Sequence, residues 1–580
     1  MSALHTTLHS IFRSMSGRAV MAMFGLMLLL FPLAACSGPA DTVQFTTINL
    51  GIPADALNSP VVGPLPDNTK LAVRITFKIN SNLLKQAEQQ KIQPGKPSHL
   101  EVFAKKLGVD DATYQKIKDF FNIQGISLKL SKLRTHLAID AKASTFAKLL
   151  QTKFVIHKYN GRTFYAPATP PKVPHFLANY IDAITGLDNY SSKPIHALSS
   201  FVPFNHQQPT QDCSPPDQTL FPRDVAGAYG FEQLWNQGLH GENMTINLVE
   251  IDGSYRSDIQ NYFDCIQFKG RLSTINIDGK PSEAAGESTL DIQMAAGLAR
   301  SANIMVYQTD GNTDGDIWGQ INDMLQQIAD DNVNNANAGS VVSISLGAAE
   351  QEITSEDMRA IDSSIQQLTR VEHMTVFIAS GDCGAFTSRV YGKLAVSFPA
   401  SDPWATSVGG TMLAVNGNRQ RTQEVVWADG SQRSSCKNQW GSGGGNSVVF
   451  KRPQWQNAAG VSNKYTSGAR QLPDVSAAAY ALAVYFRGQW GAVGGTSAAA
   501  PIWATGLALV NQGLLKQTQQ FGYSPSIFYQ VANKSSGLHP YFDVTKGNNL
   551  YYPATSGWDY STGLGTPNIA GFYQAMLKTF

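Results

Sequence analysis

Charge is scarce in this chain of 580 residues, where Asp, Glu, Lys and Arg make up 15%, against about 25% in an average soluble protein. A hydrophobic share of 43% also excludes a disordered chain. Net charge is only +2, and the Lys and Arg residues are scattered, so no nucleic-acid partner is expected. Cysteine is nearly absent, at five residues. Beyond residue 35 no run is long and apolar enough to span a membrane. Gly441–Gly445 is glycine-rich but lacks the lysine of a phosphate-binding loop. No internal repeat is visible, and length alone suggests roughly four domains.

The small net charge hides a split. Residues 41–190 carry +8, whereas 221–580 carry −7. Opposite charges predict that the two parts dock at neutral pH and that acid weakens the attraction. Ahead of both, Arg13 and Arg18 precede an apolar run, Ala19 to Ala35. The run is short for a membrane span and fits an export signal. It ends Leu33-Ala34-Ala35-Cys36, which resembles a bacterial lipobox with Cys36 as the lipidated residue. The expected location is outside the bacterial cytoplasm: an outer-membrane lipoprotein, periplasmic or extracellular after processing. A lipid on Cys36 is the one membrane contact expected. Cys213, Cys265, Cys383 and Cys436 then allow two disulfides in three pairings.

Four segments follow: a signal over 1–36, a small α+β domain over 43–190, a linker over 191–217 and a large domain over 218–580. In the small domain, 71–79 alternates apolar and polar as a half-buried strand. Ser98 and Glu101 form a capping box ahead of a helix with Val102, Phe103 and Leu107. Tyr114, Ile117 and Phe121 line a second helix. Strands are expected at 126–130 and 134–140, a helix at 143–151, and a hairpin turns at Asn160-Gly161. Pro194, Pro203, Pro209, Pro215 and Pro216 mark the linker. The large domain alternates buried runs (Ile246–Ile251, Asn303–Tyr307, Val341–Leu346, Val376–Ser380) with helical stretches. That pattern argues for a parallel sheet covered on both faces, with sites at the carboxyl ends of its strands.

Gly494-Gly495-Thr496-Ser497-Ala498-Ala499-Ala500-Pro501 carries the sharpest chemical signal. Ser497 would open a helix running to about Lys516, where free N–H groups favour a developing anion. A serine capping a glycine turn reads the same way from this string alone. A serine nucleophile needs a base, yet after residue 220 only His240, His373 and His539 occur, none in a His-Gly-Thr-His string. Ala499 also breaks the G-x-S-x-G pattern. Glu287 and Asp291 offer a carboxylate solution, because four-residue spacing puts both on one helix face. Buried together they share a proton and one pKa rises. Ala295, Ala296 and Leu298 point to burial over a solvated surface pair. Asp382 follows a strand in Ser380-Gly381-Asp382-Cys383-Gly384-Ala385, where a protonated Asp could donate to an oxyanion.

These strings resemble the sedolisins, the serine-carboxyl peptidases of subtilisin-like fold. The matching stretches are Gly286–Ala299, Ser343-Ile344-Ser345-Leu346-Gly347, Ser380–Ala385, Phe398-Pro399-Ala400-Ser401, Val408-Gly409-Gly410-Thr411, Gly494–Pro501 and Gly557-Trp558-Asp559. The resemblance implies an α/β catalytic domain with a parallel sheet flanked by helices. It implies Ser497 as nucleophile, Glu287 as base and acid, Asp291 orienting Glu287, and Asp382 at the oxyanion. Phe164–Ala168 and Ile184–Asp188 match the family's activation domain, a small ferredoxin-like α+β unit. The implied protein is a monomeric zymogen cut within the linker, its prodomain acting as intramolecular inhibitor or chaperone. Its substrates would be proteins or peptides. One Ca²⁺ is implied near the C-terminus, on the Asp543 and Asp559 carboxylates and the Val544, Thr555 and Gly557 carbonyls, hard oxygen donors that suit the ion. Thr555 stands where the family has glycine, and Ser556 where it has proline. A catalytically silent surface lipoprotein that keeps the fold for binding is the alternative, and the four filled catalytic positions count against it.

Overall fold

Alternating apolar residues make Lys70–Phe77 the central strand of the first sheet, with Leu71, Val73, Ile75 and Phe77 all buried. The computed structural model describes residues 44–580 except 90–99, 104, 123–125, 197–200, 205–218, 336–339, 388–391, 431–435, 437–438 and 518–524. The expected signal with Cys36, the Ser98 end of the capping box and Cys213 lie outside those residues. The sheet is antiparallel, ordered Ser127–Leu130, His136–Lys142, Lys70–Phe77, Ile181–Thr185. Helices Ser81–Glu88 and Asp111–Phe120 join its first two strands in sequence, and Ala143–Leu149 follows the third. That is a ferredoxin-like order. The expected hairpin, Phe154–Tyr159 with Arg162–Pro167, turns at Asn160-Gly161, both left-handed.

The large domain is built on a mostly parallel sheet. Its order is Arg271–Asn276, Asn303–Gln308, Thr245–Glu250, Val341–Ile344, Thr375–Ala379 and Thr406–Val415; that last strand also pairs with Val475–Ala478 and, antiparallel, with Arg421–Val426. The first of these strands in sequence, Thr245–Glu250, is central, and chain order reverses beside it. Helices Glu287–Leu298 and Thr496–Lys516 pack on one face; Ile317–Asn335 and Ser355–Arg370 cover the other. Two expectations need correction, the single strand Val341–Leu346 and the lack of any later run long and apolar enough to span a membrane. Val341–Leu346 is two strands rather than one, because the chain leaves the sheet at Ser345 and Leu346–Ala349 pairs elsewhere. Thr496–Lys516 is apolar and long enough to cross a membrane, but it lies in the core. Cys383 and Cys436 are bonded, with Cα atoms 5.3 Å apart. Cys265 is also disulfide-bonded, to a residue outside the described ones.

The ferredoxin-like sheet lays its second face on the helices Ile317–Asn335 and Ser355–Arg370. Arg74, 2% exposed, reaches Asp323 at 2.5 Å, Asp140 at 2.8 Å and Asp278 at 3.3 Å. His136 meets Asp323 at 2.6 Å. Burial alone would raise the Asp323 carboxyl, but the Arg74 charge and the His136 hydrogen bond hold it well below the usual range. The scattered cations of the first domain are therefore not all solvated. Removing one partner of such a buried pair strands the other charge, at a cost of about 3–5 kcal/mol. Arg74→Met should loosen the first domain from the second. Limited proteolysis of the uncleaved chain at neutral pH checks this, and an unchanged digestion rate in residues 45–190 would refute it.

Candidate active site

Two acidic residues end the central strand of the large sheet. Asp252 takes N–H bonds from Ala285 (2.9 Å), Gly286 (2.8 Å) and Ser288 (3.0 Å). It thereby caps the helix Glu287–Leu298 from outside and satisfies its orphan donors. Gly286 starts that helix at φ 114°, a conformation that favours glycine. Every residue of the helix is buried, so the four-residue spacing carries both Glu287 and Asp291 into the core.

The break at Ser345 now has a use. Its hydroxyl donates to Asp291 at 2.6 Å and lies 3.1 Å from the Ser497 carbonyl. Pro501 has no N–H to offer that carbonyl four residues back, so a side chain from another element reaches it instead. The Ser497 hydroxyl lies near enough to Glu287 to lower its carboxyl, and 3.4 Å from the Ser345 carbonyl. Across the cleft, Asp382 Oδ1 accepts from both the Thr496 N–H (2.7 Å) and the Thr496 hydroxyl (2.8 Å). Gly381, left-handed at φ 102°, donates its N–H to the same hydroxyl at 3.1 Å. The disulfide at Cys383 secures this turn.

Ser497, Asp382, Ser345 and Thr496 line one cleft of 280 Å³ with Leu346, Gly347 and Trp440. No histidine lines it among the described residues. His373 instead bonds the Ala87 carbonyl in the first domain at 2.9 Å. All four residues expected from the sequence thus meet at one place, at the carboxyl end of the sheet.

The pro-kumamolisin activation domain family matches residues 58–190, and the subtilase family matches 281–539. Kumamolisin of Bacillus sp. (strain MN-32) is 29% identical over 552 residues, covering 89% of this chain and 93% of that one. Sedolisin of Pseudomonas sp. (strain 101) is 25% identical, covering 93% and 92%. The solved structure of Pseudomonas sedolisin, complexed with two molecules of pseudo-iodotyrostatin, aligns with a TM-score of 0.54 at 28% identity, covering 62% of this chain and 98% of that one. The chain joins a pro-kumamolisin activation domain to a subtilase-type peptidase domain and is similar to the sedolisins along most of its length. It is a serine-carboxyl peptidase with an activation prodomain.

In this peptidase, Glu250 was the residue hardest to see. It ends the central strand, 1% exposed, and its carboxyl lies beside that of Asp291. Its only signal was an acid closing an otherwise apolar run, and Asp252 gave the same. Burial, then the Asp291 charge, pushes Glu287 well above the carboxylate range, against the nearby Ser497 hydroxyl. Burial, then Asp291, does the same to Glu250. Burial raises Asp291 to about 8, opposed by Ser345 and Glu250, and Asp252 to about 6, opposed by its backbone donors.

The residues read as calcium ligands form a separate loop. Asp559 accepts from the N–H groups of Thr555 and Ser561 (both 2.8 Å) and Thr562 (3.0 Å), and Asp543 from that of Gly557 (2.9 Å). Burial, with Asp543 nearby, raises Asp559 to about 7. The two carboxylates lie close enough to repel one another, and carboxylate oxygens are ligands that a hard divalent cation takes. Among the described residues no group of three or more His, Cys, Asp or Glu is arranged to hold a metal.

The four carboxyls of the site keep their protons to higher pH in the fold than in the unfolded chain. The native state therefore binds more protons, and stability falls as pH rises. That contribution is complete below about pH 4, where unfolded carboxyls are protonated, and is lost through the folded values of about 6 for Asp252 and about 8 for Asp291. Asp323 has the opposite sign, but its loss comes only in stronger acid. The melting temperature of a Ser497→Ala chain should fall between pH 5 and pH 8, and less steeply with Asp291→Asn added. A melting temperature rising across that range would contradict this.

Proposed function

We propose that this peptidase is an exported endopeptidase, acting in acid, that cuts peptide bonds through an acyl-enzyme on Ser497. The observation that carries the reading is the Ser497 hydroxyl beside buried Glu287, itself beside Asp291, with no histidine of the large domain lining the cleft among the described residues. The Ser497 oxygen attacks the carbonyl carbon while its proton passes to Glu287. Glu287 returns that proton to the amine as the C–N bond breaks. Water, losing its proton to Glu287, then attacks the ester and frees Ser497. Asp291, fixed by Ser345 and Glu250, orients Glu287. The two Thr496 bonds occupy Asp382 Oδ1, so the acid proton that meets the oxyanion belongs on Oδ2. A neutral Asp382 requires acid, whereas Glu287, with its raised carboxyl, takes the Ser497 proton only while the proton-sharing cluster leaves it ionised. The disulfides support an oxidising compartment, as does the signal ending at Cys36.

The linker supports both endopeptidase activity and self-processing. Ile195–His196 pairs with Leu346–Gly347 on one wall of the cleft, and Val202–Pro203 pairs with Gly491–Ala492 just before Ser497. One chain thus pairs with both walls, through 195–196 and then through 202–203. Acid incubation of the full chain should produce a new N-terminus between His196 and Val202, fastest below pH 7, and Ser497→Ala should produce none. Mass spectrometry across pH decides this; equal processing by Ser497→Ala, or a rate peaking at or above pH 7, would sink the reading.

Calcium is proposed as a structural ion on Asp543, Asp559 and the Val544, Thr555 and Gly557 carbonyls. When bound it ties the loop to the sheet and neutralises two carboxylates, leaving the peptidase steps to the side chains above. An ion held by the fold alone at 100 times its Kd stabilises by about 2.7 kcal/mol. EGTA should therefore lower the melting temperature of Ser497→Ala by a few degrees, and added calcium should restore it. No change on chelation would refute the site.

A further inference from the structure

The linker also marks a surface beyond the reacting atoms. The strand Gln489–Val493 pairs with Leu482–Phe486 on one side, and Val202–Pro203 adds to its other edge, Val202 opposite Ala492 and Pro203 opposite Gly491. The Phe204 amide donates to the Trp490 carbonyl at 3.1 Å. Phe201 packs edge-on against Phe486, with ring centroids 5.5 Å apart and planes at 79°. Tyr255, 5.8 Å away, and the Arg487 guanidinium, at 5.0 Å, flank Phe486 in turn. Gly491 forms the floor. A Cβ there would stand 2.4 Å from the Phe201 ring, and the three atoms nearest it all belong to Phe201 or Val202. The Gly491 backbone is not left-handed, so the ring above it, not the turn of the chain, is what requires glycine.

Direction assigns the occupant. The chain meets the Leu346–Ala349 wall first and the Gln489–Val493 wall second. A substrate running the same way lays the residues after its cut bond on Gln489–Val493. We propose that this strand edge, with Phe486, Gly491 and Tyr255, binds the leaving-group side of polypeptide substrates and selects an aromatic side chain there. The inference rests on the peptidase reading above. Backbone pairing supplies sequence-independent hold, and an edge-to-face ring contact supplies the choice.

The test uses the self-activated full-length product and peptides cut at one bond. A single Phe replaces Ala at each of the five positions after that bond in turn. One position should raise kcat/KM about fivefold to tenfold over its Ala counterpart, as an aromatic pair predicts. Gly491→Ala should bring that ratio to within twofold of unity. Because the preference is a ratio within each enzyme, a general loss of activity cancels. No position exceeding twofold in the wild type, or a ratio undiminished in Gly491→Ala, would overturn the proposal. A second readout needs no catalysis: in uncleaved Ser497→Ala, hydrogen exchange at the Phe204 amide should quicken at least tenfold when Gly491→Ala is added. Unchanged exchange would overturn the seat even if cleavage occurs. A wild type that cleaves nothing while the exchange responds would count against the peptidase reading alone.

Discussion

Four carboxyls, on Glu250, Asp252, Glu287 and Asp291, lie 2% exposed or less at the end of one strand and the start of one helix. The leading influences on each are burial, neighbouring carboxylates and hydrogen bonds, with no cation among them. Ionising all four there would be prohibitive, so they must hold shared protons. The rest of the site follows from making that tolerable. Asp252 draws on the orphan N–H groups of a helix start. Asp291 draws on a serine available only because a strand ends one residue early. Glu287 is left as the member that faces Ser497. A site built on a histidine base would need none of these donors, whereas this one needs all of them.

The nucleophile is held by the same economy of donors. A proline four residues after Ser497 would normally weaken the first turn of its helix. Here the Ser345 oxygen lies between the Ser497 carbonyl and Asp291, so that a protonated Asp291 frees the one hydroxyl hydrogen for the carbonyl. Thr496 does the matching task on the other side by fixing one oxygen of Asp382. The reacting groups are therefore positioned by elements far apart in sequence that meet only at the strand ends.

Local strings made much of this legible. The helix with Glu287 and Asp291, the Asp382 turn and the Ser497 turn each carry a short pattern, and each sits where the pattern puts it. The strands of the parallel sheet were readable because runs buried on both faces are continuously apolar. Glu250 and Asp252 were not, since a strand pattern says nothing about which helix start lies above its end. The Ser345 break was hidden for a related reason: Val341–Leu346 is uniformly apolar apart from its serines, and what ends the strand is pairing with other chain segments. Phe201 and Gly491 carry no pattern at all, because their relation exists only once Phe201 and Val202 lie against the strand Gln489–Val493.

The charge split between the two domains reads differently once the interface is resolved. Arg74 and His136 do meet acidic Asp323, as opposite charges predict, yet that carboxyl is held so low that mild acid leaves the pair intact. Beside it lie Asp188, raised by burial to about 7, Asp316, raised to about 6, and Asp357, also pushed up by burial. These three favour docking when protonated, so lowering the pH toward 5 strengthens their contribution. Electrostatic repulsion is then a poor release for the prodomain. Cutting the linker is a better one, because it removes the strand pairings on both cleft walls and converts a tethered contact into a bimolecular one. Acid, on this view, acts first on the active site and only through it on the prodomain.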